Sequence, residues 1–145
     1  LEAVLDRASA CLRAIPVHTD LWDWDVDQAG LKALFQATTG GANESLPGFG
    51  PAKCTKLLHR KRPQAVPIID SWIREQWSAS PGSAWTSDDM VAITMEMRGR
   101  LGERTAELGL VRDAVISRWG VDVSLLRSYD ILSYLWHSDS LRPPG

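Results

Sequence analysis

Apolar residues recur at helical spacing along almost the whole chain, and the strict alternation that a half-buried strand requires is nearly absent. Leu1, Val4, Leu5, Ala8, Leu12 and Ile15 share one helical face, and Pro16 closes that segment. Leu31, Leu34 and Phe35 mark a second helix that stops at Gly40-Gly41. Pro51 suits the first position of a third helix, where its missing N–H is no loss, and Pro63 ends that helix after about Lys61. Asp70-Ser71 reads as the N-cap of a helix carrying Trp72, Ile73 and Trp77. Ser87-Asp88-Asp89 opens another with Met90, Val91, Ile93, Met97 and Leu101 inward. The pattern predicts two more, over Glu103 to Trp119 and Val123 to Trp136, divided by Gly120, with Asp122 or Ser124 capping the last. The expectation is an all-α, compact multi-helix domain of about six or seven helices.

With 145 residues the chain suits a single helical domain over 1–145. The 63–69 run, with two prolines among apolar residues, predicts an extended buried connection, and the Ser/Pro/Gly run at 78–83 a surface loop. The Arg-Pro-Pro-Gly end is expected to fray. No apolar run approaches the roughly 20 residues that span a bilayer, so no membrane partner is expected. The first stretch is amphipathic rather than a signal peptide, and Leu1 in place of an initiator methionine is what a trimmed chain shows. Cys11 and Cys54 form neither a CxxC nor a Cys/His cluster, so no metal centre is expected. Two thiols of this kind fit a cytoplasmic protein.

The net charge of −2 hides a segregation. Residues 46–76 carry Lys53, Lys56, Arg60, Lys61, Arg62 and Arg74 against Asp70 and Glu75, a surplus of four, so the remainder carries −6. Inside this basic stretch lies Leu46-Pro47-Gly48-Phe49-Gly50-Pro51. Two glycines around one apolar residue allow a tight turn at positive φ and a close approach to the backbone. Phe49 would tuck between the flanking helices, and the N–H groups opening the helix at Pro51 would face a phosphate. Lys53, Lys56 and Arg60 add charge on that helix. The whole of about 31–62 reads as a helix-hairpin-helix region that grips a nucleic-acid backbone without base selectivity, through Gly48, Phe49, Gly50, Lys53, Lys56 and Arg60.

The segment from Leu46 to Ile73 resembles the signature of the helix-hairpin-helix DNA glycosylase (HhH-GPD) superfamily. There a Leu-Pro-Gly-x-Gly hairpin is followed by a helix, an apolar connection and an aspartate opening another helix. Here these are Leu46 to Gly50, Val66-Pro67-Ile68-Ile69 and Asp70. Pro67-Ile68-Ile69-Asp70 resembles the adenine-mismatch branch. Gly50-Pro51-Ala52-Lys53, Arg62-Pro63 and Ile68-Ile69-Asp70-Ser71 are similar to an uncharacterised actinobacterial family.

The resemblance implies a DNA partner, a glycosylase-like fold and a role in DNA repair, with Asp70 as catalytic carboxylate. Cleaving an N-glycosidic bond passes through a cationic sugar, which a fixed carboxylate stabilises. The base must first leave the stack for a pocket between aromatic walls. Trp72 and Trp77 are the expected walls. In bifunctional members a lysine two positions after the second hairpin glycine attacks the sugar; Ala52 stands there, so the expected enzyme is a hydrolase without lyase activity. Hydrolysis needs no organic cofactor, although the resemblance allows a monovalent cation at the hairpin.

Asp70 fits equally as a plain N-cap, a role compatible with the catalytic one. A non-enzymatic module that keeps the hairpin as a DNA- or protein-docking surface is therefore the alternative, and the −6 outside the basic stretch admits an interaction domain without nucleic acid. Asp20, Asp23, Asp25 and Asp27 around Trp22 and Trp24 lack the glycine and glutamate of a calcium loop and read as a solvated turn with tryptophan packed inward. His59, within His59-Arg60-Lys61-Arg62, fits either a phosphate contact or a solvated helix end.

Overall fold

The computed structural model describes residues 2–39, 50–78 and 85–138. Among them are seven helices and no strand: α1 (Glu2–Arg13), α2 (Gln28–Thr39), α3 (Pro51–Lys61), α4 (Ser71–Trp77), α5 (Ser87–Gly102), α6 (Thr105–Trp119) and α7 (Leu125–His137). The expected hairpin turn at 46–49, the break at Gly40-Gly41, most of the 78–83 loop and the Arg-Pro-Pro-Gly end lie outside the described residues.

Helix α2 is central and packs on α1, α3 and α5, while α4 bridges α5 and α7, and α6 lies on α7. Leu31, Leu34 and Phe35 from α2 meet Leu58, Ile69, Ile73, Met90 and Met97 in one core, all with 2% exposure or less. Burying each such side chain contributes about 1.5–3 kcal/mol, which is what fixes these short helices. Trp22 and Trp24 pack partly buried against this core, and Leu21, just before Trp22, is wholly buried.

Caps set the helix boundaries. Asp27 Oδ1 accepts from the Ala29 amide (3.0 Å) at the head of α2. Thr86 and Asp89 form a reciprocal capping box at the head of α5. Gly120 ends α6 in the left-handed conformation (φ 65°), which explains a glycine there. Two boundaries differ from the sequence expectation. Helix α6 starts at Thr105 rather than Glu103, because the Arg104 amide turns back to the Leu101 carbonyl (3.0 Å) and closes the end of α5. Helix α7 starts at Leu125 rather than Val123, because Ser124 is the residue that caps it, its Oγ accepting from the Arg127 amide (3.0 Å).

The connection from α3 to α4 is buried as expected but not wholly extended. The Ala65 and Val66 amides both return to the Arg62 carbonyl (3.1 and 2.9 Å), folding 63–66 into a turn, and only 67–70 run without turn or helix. Pro63 prevents α3 from continuing, yet its presence leaves that carbonyl able to accept. Three side-chain bonds hold the connection. Thr55 Oγ1 pairs with the Ile69 amide (3.0 Å), Ser124 Oγ donates to the Pro63 carbonyl (2.7 Å), and His59 Nδ1 meets the Val66 carbonyl (2.7 Å).

Candidate functional site

Residues Lys56, His59 and Arg60 lie three and four positions apart on α3 and share one face. This face, the head of α4 and one side of α7 enclose an open cleft of about 640 Å³. That volume falls within the usual range for small-ligand sites, about 300–1,000 Å³. Asp70 and Trp72 line it from α4, and Arg127, Asp130 and Tyr134 from α7.

Asp70 caps α4 and faces the cleft at the same time. Its Oδ1 accepts from the Trp72 and Ile73 amides, both at 3.1 Å. Among the described residues Oδ2 accepts no hydrogen bond, and the residue lines the cleft. The residue gets there because Thr55 clasps Ile69, immediately before it, onto α3.

The predicted nucleic-acid contacts divide. Lys56 and Arg60 are exposed on the cleft wall; Lys53, one turn earlier on α3, is exposed but does not line it. Gly50 takes the N-cap position of α3 with φ −76°, so the positive φ expected of the hairpin glycines does not hold at this one. A Cβ on Gly50 would meet nothing within 4 Å, leaving the space in front of its backbone open. Gly48 and Phe49 lie outside the described residues, as does most of the hairpin where a monovalent cation was expected. Arg62, counted in the basic stretch, has a structural role: Nε and Nη2 donate to the Ile15 and Leu12 carbonyls (both 2.8 Å) at the end of α1.

The two predicted pocket walls also separate. Trp72 is 47% exposed and lies against the His137 ring, with centroids 4.5 Å apart. Trp77 does not line this cleft. It packs edge-on to Tyr129 (5.7 Å), donates its indole N–H to the Tyr129 hydroxyl, and borders a separate groove on α5. At five positions along α4 from Trp72 it points well away from it, since each residue turns the helix by about 100°.

His59 is neither a solvated helix end nor an exposed phosphate contact. It is 5% exposed, and since a carbonyl can only accept, Nδ1 carries the proton toward Val66. Burial pushes its pKa below the ordinary histidine value, and the Arg127 charge adds to this, against the Val66 bond and Asp130. Asp130 shows the opposite shift. Burial raises its carboxyl above the ordinary range and Asp70 adds to that, while Arg127, His59 and Lys56 pull the other way. Arg127 and Asp130 form an ion pair one turn apart on α7. Sequence patterning did not bring α7 into the site. An i,i+3 pair on an amphipathic helix looks like a solvated surface pair, and only the packing of α7 on α4 turns it into the cleft.

Among the described residues no group of three or more His, Cys, Asp or Glu side chains is placed to hold a metal ion, and no helix is long and apolar enough to cross a membrane. The model of a family of unknown function, DUF6308, matches residues 1–138. The chain belongs to DUF6308. No curated protein and no solved structure matches it. What this DUF6308 cleft presents is two carboxylates, several cations and an exposed indole, an arrangement suited to an anionic ligand with a flat ring.

Proposed function

We propose that the chain is a DNA-binding helix-hairpin-helix protein acting as a monofunctional DNA N-glycosylase, with Asp70 as the catalytic carboxylate. The observation that carries this reading is that Asp70, although it caps α4, also borders an open cleft together with Lys56, Arg60, Arg127 and Trp72. In this reading the cations hold the phosphates that flank an extruded nucleotide. Trp72 offers its face to the base. Asp70, fixed through Oδ1 by two backbone N–H groups, directs Oδ2 at the sugar and stabilises the positive charge that develops as the glycosidic bond breaks. Water completes the hydrolysis. No lysine stands at the position of Ala52, so an abasic site is left with the strand intact.

Incubation with duplexes carrying diverse lesions and mismatches, followed by hot alkali, converts abasic sites to strand breaks. Wild type is expected to yield alkali-dependent breaks on at least one duplex and none without alkali, and Asp70→Asn to lose them. Asparagine caps a helix as well as aspartate does, so the variant tests charge rather than folding. Absence of product across the panel, or full activity in Asp70→Asn, overturns the enzymatic reading.

The second reading is a non-enzymatic DNA- or protein-docking module. It is favoured by one observation: the two bonds to Oδ1 explain an aspartate at position 70 by capping alone. It predicts binding without abasic product and unchanged binding in Asp70→Asn.

A further inference from the structure

We infer that Asp130 is a second catalytic carboxylate of the cleft, the acid–base partner of Asp70; this rests on the base-excision reading above. The geometry is specific. Asp130 lines the same cleft as Asp70 from a different element, delivered by α7, which packs on the α4 that Asp70 caps. Its side chain is only 20% exposed, and Arg127, one turn back on the same helix, holds it by an ion pair. Asp70 has a structural duty at Oδ1, whereas Asp130 caps no helix and is bonded only to Arg127, on its own helix, among the described residues.

The groups facing Asp130 are Arg127 from α7, His59 and Lys56 from α3, and Asp70 from the head of α4. Burial and the neighbouring Asp70 charge favour its neutral form, while the three cationic or imidazole groups oppose this. A carboxyl that is desolvated beside a second carboxylate suits the acid, and the one held by two backbone N–H groups at the cleft suits the charge stabiliser. The bond between C1′ and the base nitrogen breaks, and its electron pair leaves on the base. The Asp130 O–H donates its proton to that base, while the Asp70 carboxylate faces the sugar cation. Water then adds at C1′ and gives one proton to the Asp130 carboxylate. The base leaves protonated, the sugar leaves as the hemiacetal, and both carboxyl groups return to their starting state.

The test compares wild type, Asp70→Asn, Asp130→Asn and Asp130→Glu in single-turnover base release across pH, on the duplex that wild type processes. Asp130→Asn is expected to slow release by about 100-fold or more and to remove the alkaline limb of the profile, as loss of a general acid does. Asp130→Glu should restore part of the rate together with that limb. If Asp130→Asn keeps the wild-type rate and profile while Asp70→Asn is slow, the role of Asp130 is overturned and base excision stands. If wild type releases no base from any duplex, both fall. Independently of activity, the Asp130 carboxyl titration followed by NMR should move to lower pH in Asp70→Asn, because a neighbouring negative charge has gone. An unmoved titration overturns the shared site even if Asp130→Asn fails to fold.

Discussion

The Thr55 hydroxyl and the Ile69 backbone are joined in both directions: Oγ1 accepts from the Ile69 amide at 3.0 Å and donates toward the Ile69 carbonyl at 3.2 Å, a proton it shares with the Ala52 carbonyl. Thr55 is wholly buried, so the clasp works in a water-free setting. Thr55→Val keeps the shape and leaves an amide and a carbonyl of residue 69 without partners. Each such group costs about 1–3 kcal/mol. The variant should therefore lose about 2–4 kcal/mol of unfolding free energy by urea denaturation. A loss under about 0.5 kcal/mol would mean that the connection can re-pair elsewhere.

Acid should weaken the fold through His59. Its pKa in the folded protein is depressed by burial, whereas the unfolded chain takes up the proton near the ordinary value of about 6.5. The unfolded state then binds more protons in this window. Stability is full above about pH 6.5 and falls as pH drops through it toward the folded pKa, by up to about 1.4 kcal/mol per pH unit. Urea midpoints at pH 7.5 and 5.5 measure the fall, and His59→Gln should flatten it. An equal fall in the variant would assign the effect to other groups.

Gly102 closes α5 against Trp22, and a Cβ there would stand 2.9 Å from the Trp22 Cβ. That atom is fixed to the backbone of a turn whose Trp24 carbonyl is held by Arg98 (3.1 Å), so it has little room to retreat. Alanine gains about 1 kcal/mol of helix propensity, yet overpacking costs about 1–3 kcal/mol. Gly102→Ala should be destabilising by about 1 kcal/mol in thermal melts. A rise in Tm would show that the acidic turn shifts freely.

Lys56 and Arg60 stand on the cleft wall, whereas Arg62 is tied to the end of α1. In the DNA-binding reading, Lys56→Ala combined with Arg60→Ala should weaken duplex affinity and reduce the slope of log affinity against log salt by about 2, near 0.9 per phosphate contact. Arg62→Met should leave the slope unchanged and lower thermal stability instead. Equal slopes for wild type and the double variant would remove the cleft wall from the DNA interface.

The fold was legible in outline because helical periodicity and the punctuation by Pro51, Pro63, Asp70 and Gly120 are local signals. The same locality explains what was missed. Nothing in the sequence near His59 says that Val66 will turn back to receive its proton. Nothing near Arg127 or Asp130 says that α7 will lie beside α4, roughly 60 positions away in sequence. Trp72 and Trp77 looked equivalent as aromatic residues on one short helix, but their angular separation sends one to the Asp70 cleft and the other to a groove on α5. Asp70 was found because a cap, unlike a cleft, is written in neighbouring residues.

Ser124 donates to the Pro63 carbonyl and caps α7, while Thr55 grips Ile69 at the other end of the same connection. The seven residues 63–69 thus act as a ruler between the two carboxylates, one end indexed to the helix that carries Asp130 and the other to Asp70. Length changes in the 103–104 turn would leave that gauge untouched. A single residue inserted between Pro63 and Ile69 would preserve every helix yet carry Asp70 out of register with Asp130. Such a variant should melt as a folded protein and still be mute in any chemistry that needs both.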